Sequence, residues 1–236
     1  MKYLAILLLS FSLMTVSANQ VANFFKQSDI FFSKYVQNGK VNYKAIKTDS
    51  KSLDDLLQHI AQANVAAMDD ATFKAFHINA YNLYVIKGIL AKYPVNSPLD
   101  IKGFFDKITY NVGGSNYTLN DIENKVLRKK YPNEPRFHFA LVCAGLGCPP
   151  IINEAYTPQK LEMQLQRQTK IALNNPNFIK VNGKKTQLSQ IFEWYKEDFI
   201  KNGTEIDFIN TYRNVKIPAD SKISYYSYNW KLNDAH

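Results

Sequence analysis

One short segment carries the side chains best suited to covalent chemistry. It runs from Arg136 to Pro150, and within it His138 precedes Cys143 and Cys148, with two glycines between the cysteines. A thiolate becomes a useful nucleophile when a base lies nearby and hydrogen-bond donors surround it. Glycines after Cys143 would leave backbone N–H groups free to form an oxyanion site. The segment therefore suggests a thiol enzyme with Cys143 as nucleophile and His138 as base.

The spacing of these residues leaves other interpretations open. In a fully extended chain, at ~3.3 Å per residue, the Cα atoms of His138 and Cys143 lie roughly 16 Å apart, so the two side chains meet only if the chain bends sharply. A disulfide between Cys143 and Cys148 needs only a tight loop, and it would stabilise the fold by roughly 2 kcal/mol. The spacing favours this disulfide over a free nucleophile or a redox-active pair. Metal binding lacks a fourth ligand at any usual spacing, so no metal or cofactor is expected.

Two carboxylates fall where burial is expected. Glu123 lies one helical turn from both Leu119 and Leu127, on the stripe that faces the core. A buried carboxylate is costly unless it is paired or protonated, so Glu123 is a candidate for structural pairing or for orienting His138 in a triad. Asp198 follows Trp194 by one turn and repeats this pattern. Its favoured role is to anchor a loop or an arginine.

The helix predicted from Asp70 to Tyr93 is apolar around nearly its whole circumference, which places it inside the protein. Asn79 and Asn82 are three residues apart, so they share one face of this helix. Their amides could bond neighbouring loops, grip a backbone edge or orient a ligand. Together with Tyr81 and Arg136 they form the candidate substrate-binding set.

The remaining elements must position these side chains. Helices are predicted at 20–37, 52–63, 118–130 and 158–173 and from Ser189 onward, hairpins at 108–117 and 178–188, a buried strand at 137–142 and a last strand at 223–230. The first hairpin should turn at Gly113-Gly114, and Thr118 with Asp121 three residues later resembles a capping box at the start of its helix. These elements do not alternate as βαβ units. We therefore expect an α+β fold: a single compact domain with a buried central helix packed against a small, mainly antiparallel sheet.

The N-terminus predicts export. Lys2 precedes an apolar run from Leu4 to Met14, and small residues follow up to Ala18, which is the pattern of a secretory signal. We expect residues 1–18 to be this signal, residues 19–236 to form the domain, and the mature protein to be periplasmic or secreted. No later segment has the length of a membrane span.

The net charge of +9 favours anionic partners in general, but the lysines are scattered along the chain. Their densest run, residues 128–130, ends a predicted helix, where cations offset the helix dipole. No nucleic-acid motif is present. The expected partner is therefore an unidentified peptide-like or envelope ligand, and the oligomeric state stays open.

Several of these motifs resemble those of the family called domain of unknown function 547. The matching segments, in family order, are residues 39–43, 76–82, 119–123 with 127–128, 138–150, 188–199 and 228–233. The family usually has Trp at the position of His77 and Asn at that of Val142. The resemblance implies that Glu123, His138 and the two cysteines are motif positions, but it implies no settled activity. The combination of His and Cys is similar to papain-like and transglutaminase-like thiol enzymes.

Two functions remain in competition. The first is a thiol hydrolase or acyltransferase acting on peptide or amide bonds, with Cys143 as nucleophile, His138 as base and Glu123 as its orienter. The second is a non-catalytic envelope binding module, in which the cysteines form a structural disulfide and the amides hold a ligand or a partner strand.

Overall fold

Apolar side chains on every side of α4 (Asp70–Leu90) place this helix at the centre of the protein. The structure, a computed structural model, describes residues 2–235, with side chains from residue 19 onward. Every residue from 75 to 86 is buried, as the sequence predicted. Asp69 caps the helix by accepting a hydrogen bond from the N–H of Thr72 (2.7 Å), and the helix ends shortly before Pro94.

Three α-helices precede α4: α1 (Lys2–Tyr35), α2 (Tyr43–Thr48) and α3 (Lys51–Gln62). Helices α2 and α3 pack on α4, and α1 contacts it through the rings of Phe24 and Phe76, whose centroids are 4.9 Å apart. Strands β1 (Val36–Gln37) and β2 (Lys40–Val41) form a minimal hairpin between α1 and α2. The side chains of residues 1–18, the predicted signal, lie outside the described residues. Across the described part of the chain, no helix combines the length and apolarity needed to cross a bilayer.

A hairpin and a distorted helix follow α4. Strands β3 (Thr109–Val112) and β4 (Ser115–Thr118) pair antiparallel around the predicted Gly-Gly turn. Thr118 and Asp121 then form both bonds of the predicted capping box, each 3.1 Å long. The helix α5 (Leu119–Asp121) continues directly as a π-helix (Ile122–Arg128). Short π-helical segments within a helix occur frequently at functional sites.

The C-terminal half builds a second core around a three-stranded sheet. Strands β5 (Ile179–Asn182) and β6 (Lys185–Ser189) pair antiparallel, whereas β7 (Lys222–Tyr226) pairs parallel to β6. The helices of this half are α6 (Leu161–Asn174), α7 (Gln190–Trp194), α8 (Lys196–Phe199) and α9 (Glu205–Tyr212). The protein thus combines many helices with small sheets whose strands pair mainly antiparallel. This confirms the predicted α+β class and the single compact domain.

The predicted strand at 137–142 is wrong. Pro135–Phe139 forms a 3₁₀-helix instead, with Pro135 at its first turn. The periodicity of a short apolar run does not distinguish a buried strand from a buried helix. Here the proline at its start favours the helix. The tight helix supplies the bend that an extended chain would lack. His138 and Cys143 can therefore border the same pocket.

The two asparagines of α4 hold loops against the central helix. Asn82 donates to the carbonyl of Ala140 (3.0 Å) and accepts from the N–H of Val142 (2.9 Å). Asn79 makes the same pair of bonds with the backbone of Tyr156, at 2.7 and 3.0 Å. Each amide thus satisfies two buried backbone groups at once, and Asn82 fixes the segment that joins His138 to Cys143.

Replacing Asn82 by Ala should lower the free energy of unfolding by about 3 kcal/mol, because a buried carbonyl and a buried N–H lose their partners together. Urea denaturation of the purified protein measures this change. The exposed Asn202→Ala is the matched control and should stay within about 0.5 kcal/mol of the unmodified chain. Equal stability of the two variants would contradict the role assigned to Asn82.

Candidate functional site

A pocket of about 280 Å³ lies where the π-helix, the 3₁₀-helix, α7 and the C-terminal segment meet. Six of its lining residues are aromatic: Tyr81, Phe105, Trp194, Tyr195, Tyr228 and Trp230. Leu141 and Ile191 add apolar surface, and Asn120, Glu123, His138 and the two cysteines add polar groups or sulfur. The sequence-predicted candidates Glu123, His138, Cys143, Cys148 and Tyr81 therefore share one cavity.

His138 lies between two carboxylates. Its Nε2 is 2.8 Å from Asp198 Oδ2, and its Nδ1 is 3.7 Å from Glu123 Oε1. The ring of Tyr195 packs on the imidazole with a centroid distance of 4.0 Å. The histidine side chain is only 2 % exposed, so these neighbours hold it in place. Because each ring nitrogen faces a carboxylate, neither is directed at a sulfur as a free base.

Asp198 is the direct partner of His138 and also binds Arg128. The Nε of Arg128 donates to the same Oδ2 at 2.7 Å, and Lys201 Nζ lies 3.6 Å from Oδ1. Burial alone would raise the pKa of Asp198, but the hydrogen bonds from His138 and Arg128 lower that pKa well below its usual value. The prediction that Asp198 anchors an arginine is confirmed. Its bond to His138 was not predicted, since no spacing along the chain relates the two residues.

Glu123 enters the pocket from the first turn of the π-helix. It is 7 % exposed, which confirms the predicted burial. At 3.7 Å its carboxylate is too far from His138 Nδ1 for a direct hydrogen bond. Burial, the charge of Glu123 and a hydrogen bond to it together raise the pKa of the Tyr195 hydroxyl far above its usual value. Glu123 thus borders His138, while Asp198 fixes the ring.

The two cysteines form a disulfide, which confirms the favoured interpretation of the pair. The Tyr228 hydroxyl lies 2.9 Å from Cys143 Sγ and 3.0 Å from Cys148 Sγ. The N–H of Cys143 donates to Cys148 Sγ at 2.9 Å. The disulfide is therefore part of the pocket wall and carries polar contacts on its pocket side.

The loop between the cysteines is closed by the C-terminal segment. Leu146 donates to the carbonyl of Lys231 and Gly147 to that of Asn229, both at 2.8 Å. A side chain at Gly147 would bring its Cβ within 2.9 Å of the Asn229 backbone nitrogen, so only glycine allows this approach. The N–H groups of Leu146 and Gly147 therefore already have backbone partners and are not available to an oxyanion.

The predicted substrate-binding residues separate into two groups. Tyr81 lines the pocket, whereas Asn79 and Asn82 bond loop backbone and are absent from its lining. Arg136 lies elsewhere, in salt bridges with Glu134 (2.6 Å) and Glu162 (2.9 Å). For these three residues a substrate contact has no support in the pocket geometry.

Other pocket residues were not predicted as site residues. Phe105, Asn120, Trp194, Tyr195, Tyr228 and Trp230 come from distant parts of the chain. The sequence pattern of the aromatic residues among them is that of core positions. No local pattern distinguishes an aromatic residue that lines a pocket from one that is packed in the core. Within the described residues, no three His, Cys, Asp or Glu side chains are grouped so as to hold a metal ion.

Replacing Asp198 by Asn should destabilise the fold at pH 7 by about 2 kcal/mol, because a charged partner of Arg128 and His138 is lost. The ordinary pKa of an unfolded Asp is about 3.9 and the folded pKa is lower. The stability that Asp198 contributes is therefore complete above about pH 5 and declines as the pH falls through 4.

The deficit of the Asp198→Asn variant should accordingly shrink by about 1 kcal/mol between pH 7 and pH 3. Urea denaturation at both pH values measures it. Asp55→Asn, which removes an exposed pair with Lys51, is the control and should cost less than about 1 kcal/mol at either pH. A deficit for Asp198→Asn that grows on acidification would contradict the assignment.

Comparison with known proteins places part of this chain in a family. Residues 65–173 match the profile of the family described as "Protein of unknown function, DUF547". Comparisons with curated proteins and with solved structures found no match. The matched range contains Glu123, His138 and both cysteines, whereas Asp198 and the C-terminal aromatic residues follow it. Over residues 65–173, slightly less than half of the chain, the sequence is similar to the DUF547 family, as its motifs predicted.

Proposed function

We propose that this protein is a binding protein that takes a small organic molecule into the pocket, with the disulfide as a structural part of the wall. One observation carries the proposal: the pocket joins six aromatic rings and one carboxylate, while its histidine and its sulfurs are already engaged. Ligand sites are typically apolar and aromatic, with a few polar groups that fix orientation. This cavity has that composition.

The size and opening of the pocket support a small ligand. Its volume of about 280 Å³ lies near the lower end for small-molecule sites. Trp194 lines the pocket and is nevertheless 45 % exposed, so the cavity reaches solvent at this ring. Trp194 packs against Tyr228 and Trp230, with ring centroids 5.0 and 5.9 Å apart. These three rings form an extended apolar wall at the entrance.

Rigid support for the pocket also favours binding. Asn82 fixes the chain between His138 and Cys143, and Asp198 fixes the His138 ring. The C-terminal segment fixes the disulfide loop through backbone hydrogen bonds. A site held in this way loses little conformational entropy when a ligand enters, which favours affinity.

A thiol hydrolase or acyltransferase acting on peptide or amide bonds is the second candidate. One observation favours it: Cys148 Sγ receives the N–H of Cys143 and is within reach of the Tyr228 hydroxyl. After reduction of the disulfide, two such donors would stabilise a thiolate. They favour Cys148 as the nucleophile, in place of Cys143. His138 would have to leave Asp198 or Glu123 to serve as its base.

We also propose that the protein is exported, to a periplasmic or extracellular space, and meets a peptide-like or envelope ligand there. The charge, apolar run and small residues of the N-terminus support export. A disulfide persists most readily in an oxidising compartment, which agrees with this location.

The state of the cysteines distinguishes the two candidate functions. Protein purified without reductant and then denatured should titrate no free thiol, and reduction should lower the free energy of unfolding by about 2 kcal/mol. A chromogenic thiol assay and urea denaturation measure the two quantities. The Cys143→Ser, Cys148→Ser double variant should reproduce the stability of the reduced protein.

Two free thiols in the unreduced protein, one of which alkylates near neutral pH in the native state, would favour the enzyme. In that case Tyr228→Phe should slow alkylation, because it removes a donor to the reacting sulfur. An unchanged alkylation rate in Tyr228→Phe would contradict the proposal that the Tyr228 hydroxyl stabilises the thiolate.

Export predicts a defined mature N-terminus. Intact mass spectrometry of protein recovered from the periplasm or medium should give a chain that begins at Asn19. Leu8→Arg interrupts the apolar run and should keep the full chain inside the cell. An exported chain that retains residues 1–18 would contradict the predicted cleavage.

A further inference from the structure

We infer that the ligand of this pocket is a small organic ammonium ion, with a positive charge on an apolar body. This inference rests on the proposed binding function and specifies the class of molecule bound. It follows from the charges around the cavity, from the rings that line it and from the hydrogen-bonding capacity of Glu123.

The charge inside the pocket is opposite to that of the protein. The chain has 29 Lys and Arg residues and a net charge of +9. Yet no lysine or arginine among the described residues lines the cavity, and Glu123 is the one acidic side chain that does. Arg128, a nearby cation, is engaged with Asp198. An anionic ligand would therefore meet a carboxylate and no lining lysine or arginine, whereas a cation would be paired with Glu123.

The carboxylate of Glu123 has acceptor capacity to offer. Within the part of the chain that the structure describes, no lysine or arginine forms an ion pair with it. Its nearest basic neighbour, His138 Nδ1, lies 3.7 Å away, beyond hydrogen-bond distance. His138 bonds Asp198 through Nε2, and the single hydroxyl donor of Tyr195 uses only one acceptor site of the Glu123 carboxylate. An ammonium group beside Glu123 can then donate to the remaining acceptor sites of the carboxylate.

The aromatic lining suits the same ligand. The faces of Trp and Tyr rings attract cations, and this attraction strengthens where water is excluded. Tyr81 lines the same pocket as Glu123 and feels its charge, so a cation at the carboxylate lies near this ring. Trp194, Tyr228 and Trp230 provide the apolar wall for the body of the ligand. Carboxylate and rings together define a cation site with an apolar entrance.

The chain contains its own reporter for this pocket. It has two tryptophans, and both line the cavity. Tryptophan fluorescence, excited at 295 nm, therefore reports on this site. The experiment titrates the full disulfide-bonded chain with cyclohexylammonium, cyclohexanol and cyclohexanecarboxylate, which share one apolar ring and do not absorb at this wavelength.

Cyclohexylammonium should bind roughly tenfold or more tightly than cyclohexanol, since a charge-assisted hydrogen bond is stronger than a neutral one. Cyclohexanecarboxylate should bind most weakly. Equal or tighter binding of the alcohol or the carboxylate would overturn the cationic class and leave the binding function standing. Absence of a fluorescence response to all three probes would overturn the binding function as well.

A pair of isosteric variants tests the role of the carboxylate. Glu123→Gln should lose the preference for cyclohexylammonium, roughly tenfold or more in affinity, while cyclohexanol binds as before and so shows an intact pocket. Glu193→Gln removes the same charge from an exposed position beside Trp194, outside the lining, and should keep the preference. A preference that survives in Glu123→Gln, or disappears in Glu193→Gln, would overturn the assignment.

Discussion

The hydrogen bond between His138 and Asp198 joins the two hydrophobic cores. Phe137 belongs to the core around α4, and Phe139 belongs to the core of the C-terminal half. His138 lies between them on one turn of 3₁₀-helix, with its ring packed on Tyr195. A buried imidazole needs polar partners, and Asp198 supplies one from a helix of the second core. The pocket therefore forms where the two cores meet, which is a common location for ligand sites.

Arg128 extends this contact into a network that links its guanidinium, the carboxylate of Asp198 and the imidazole of His138. Its guanidinium donates to Asp198 and lies 4.8 Å from the centroid of the Tyr195 ring. Desolvation of Asp198 is thus offset by two donors, which is why its pKa falls although it is largely buried. Glu123 differs, since among the described residues no lysine or arginine forms an ion pair with it, although Arg128 is close enough to feel its charge. The two carboxylates beside His138 therefore differ in role: Asp198 stabilises the structure, and Glu123 is the one proposed to bind the ligand.

The sequence allowed prediction of features that depend on local patterns. Examples are the capping box at Thr118, the buried face that contains Glu123, and the anchoring of an arginine by Asp198. It did not allow prediction of the 3₁₀-helix at 135–139, because the largely apolar run 137–142 fits a buried strand equally well. The pocket wall was also missed. Tyr228 and Trp230 reach it only because the C-terminal segment pairs with the cysteine loop more than 80 residues earlier.

The excess of basic residues does not prevent a cation from entering this pocket. The lysines lie mostly on the surface and are scattered, so salt screens their charge over about 8 Å at physiological ionic strength. Glu123 is 7 % exposed and acts at contact distance inside the cavity, where the same charge has a larger effect than at the surface. Long-range repulsion therefore slows the approach of a cation only modestly, whereas the carboxylate determines which ligand stays bound. Selection at the site and attraction at a distance are thus governed by different charges.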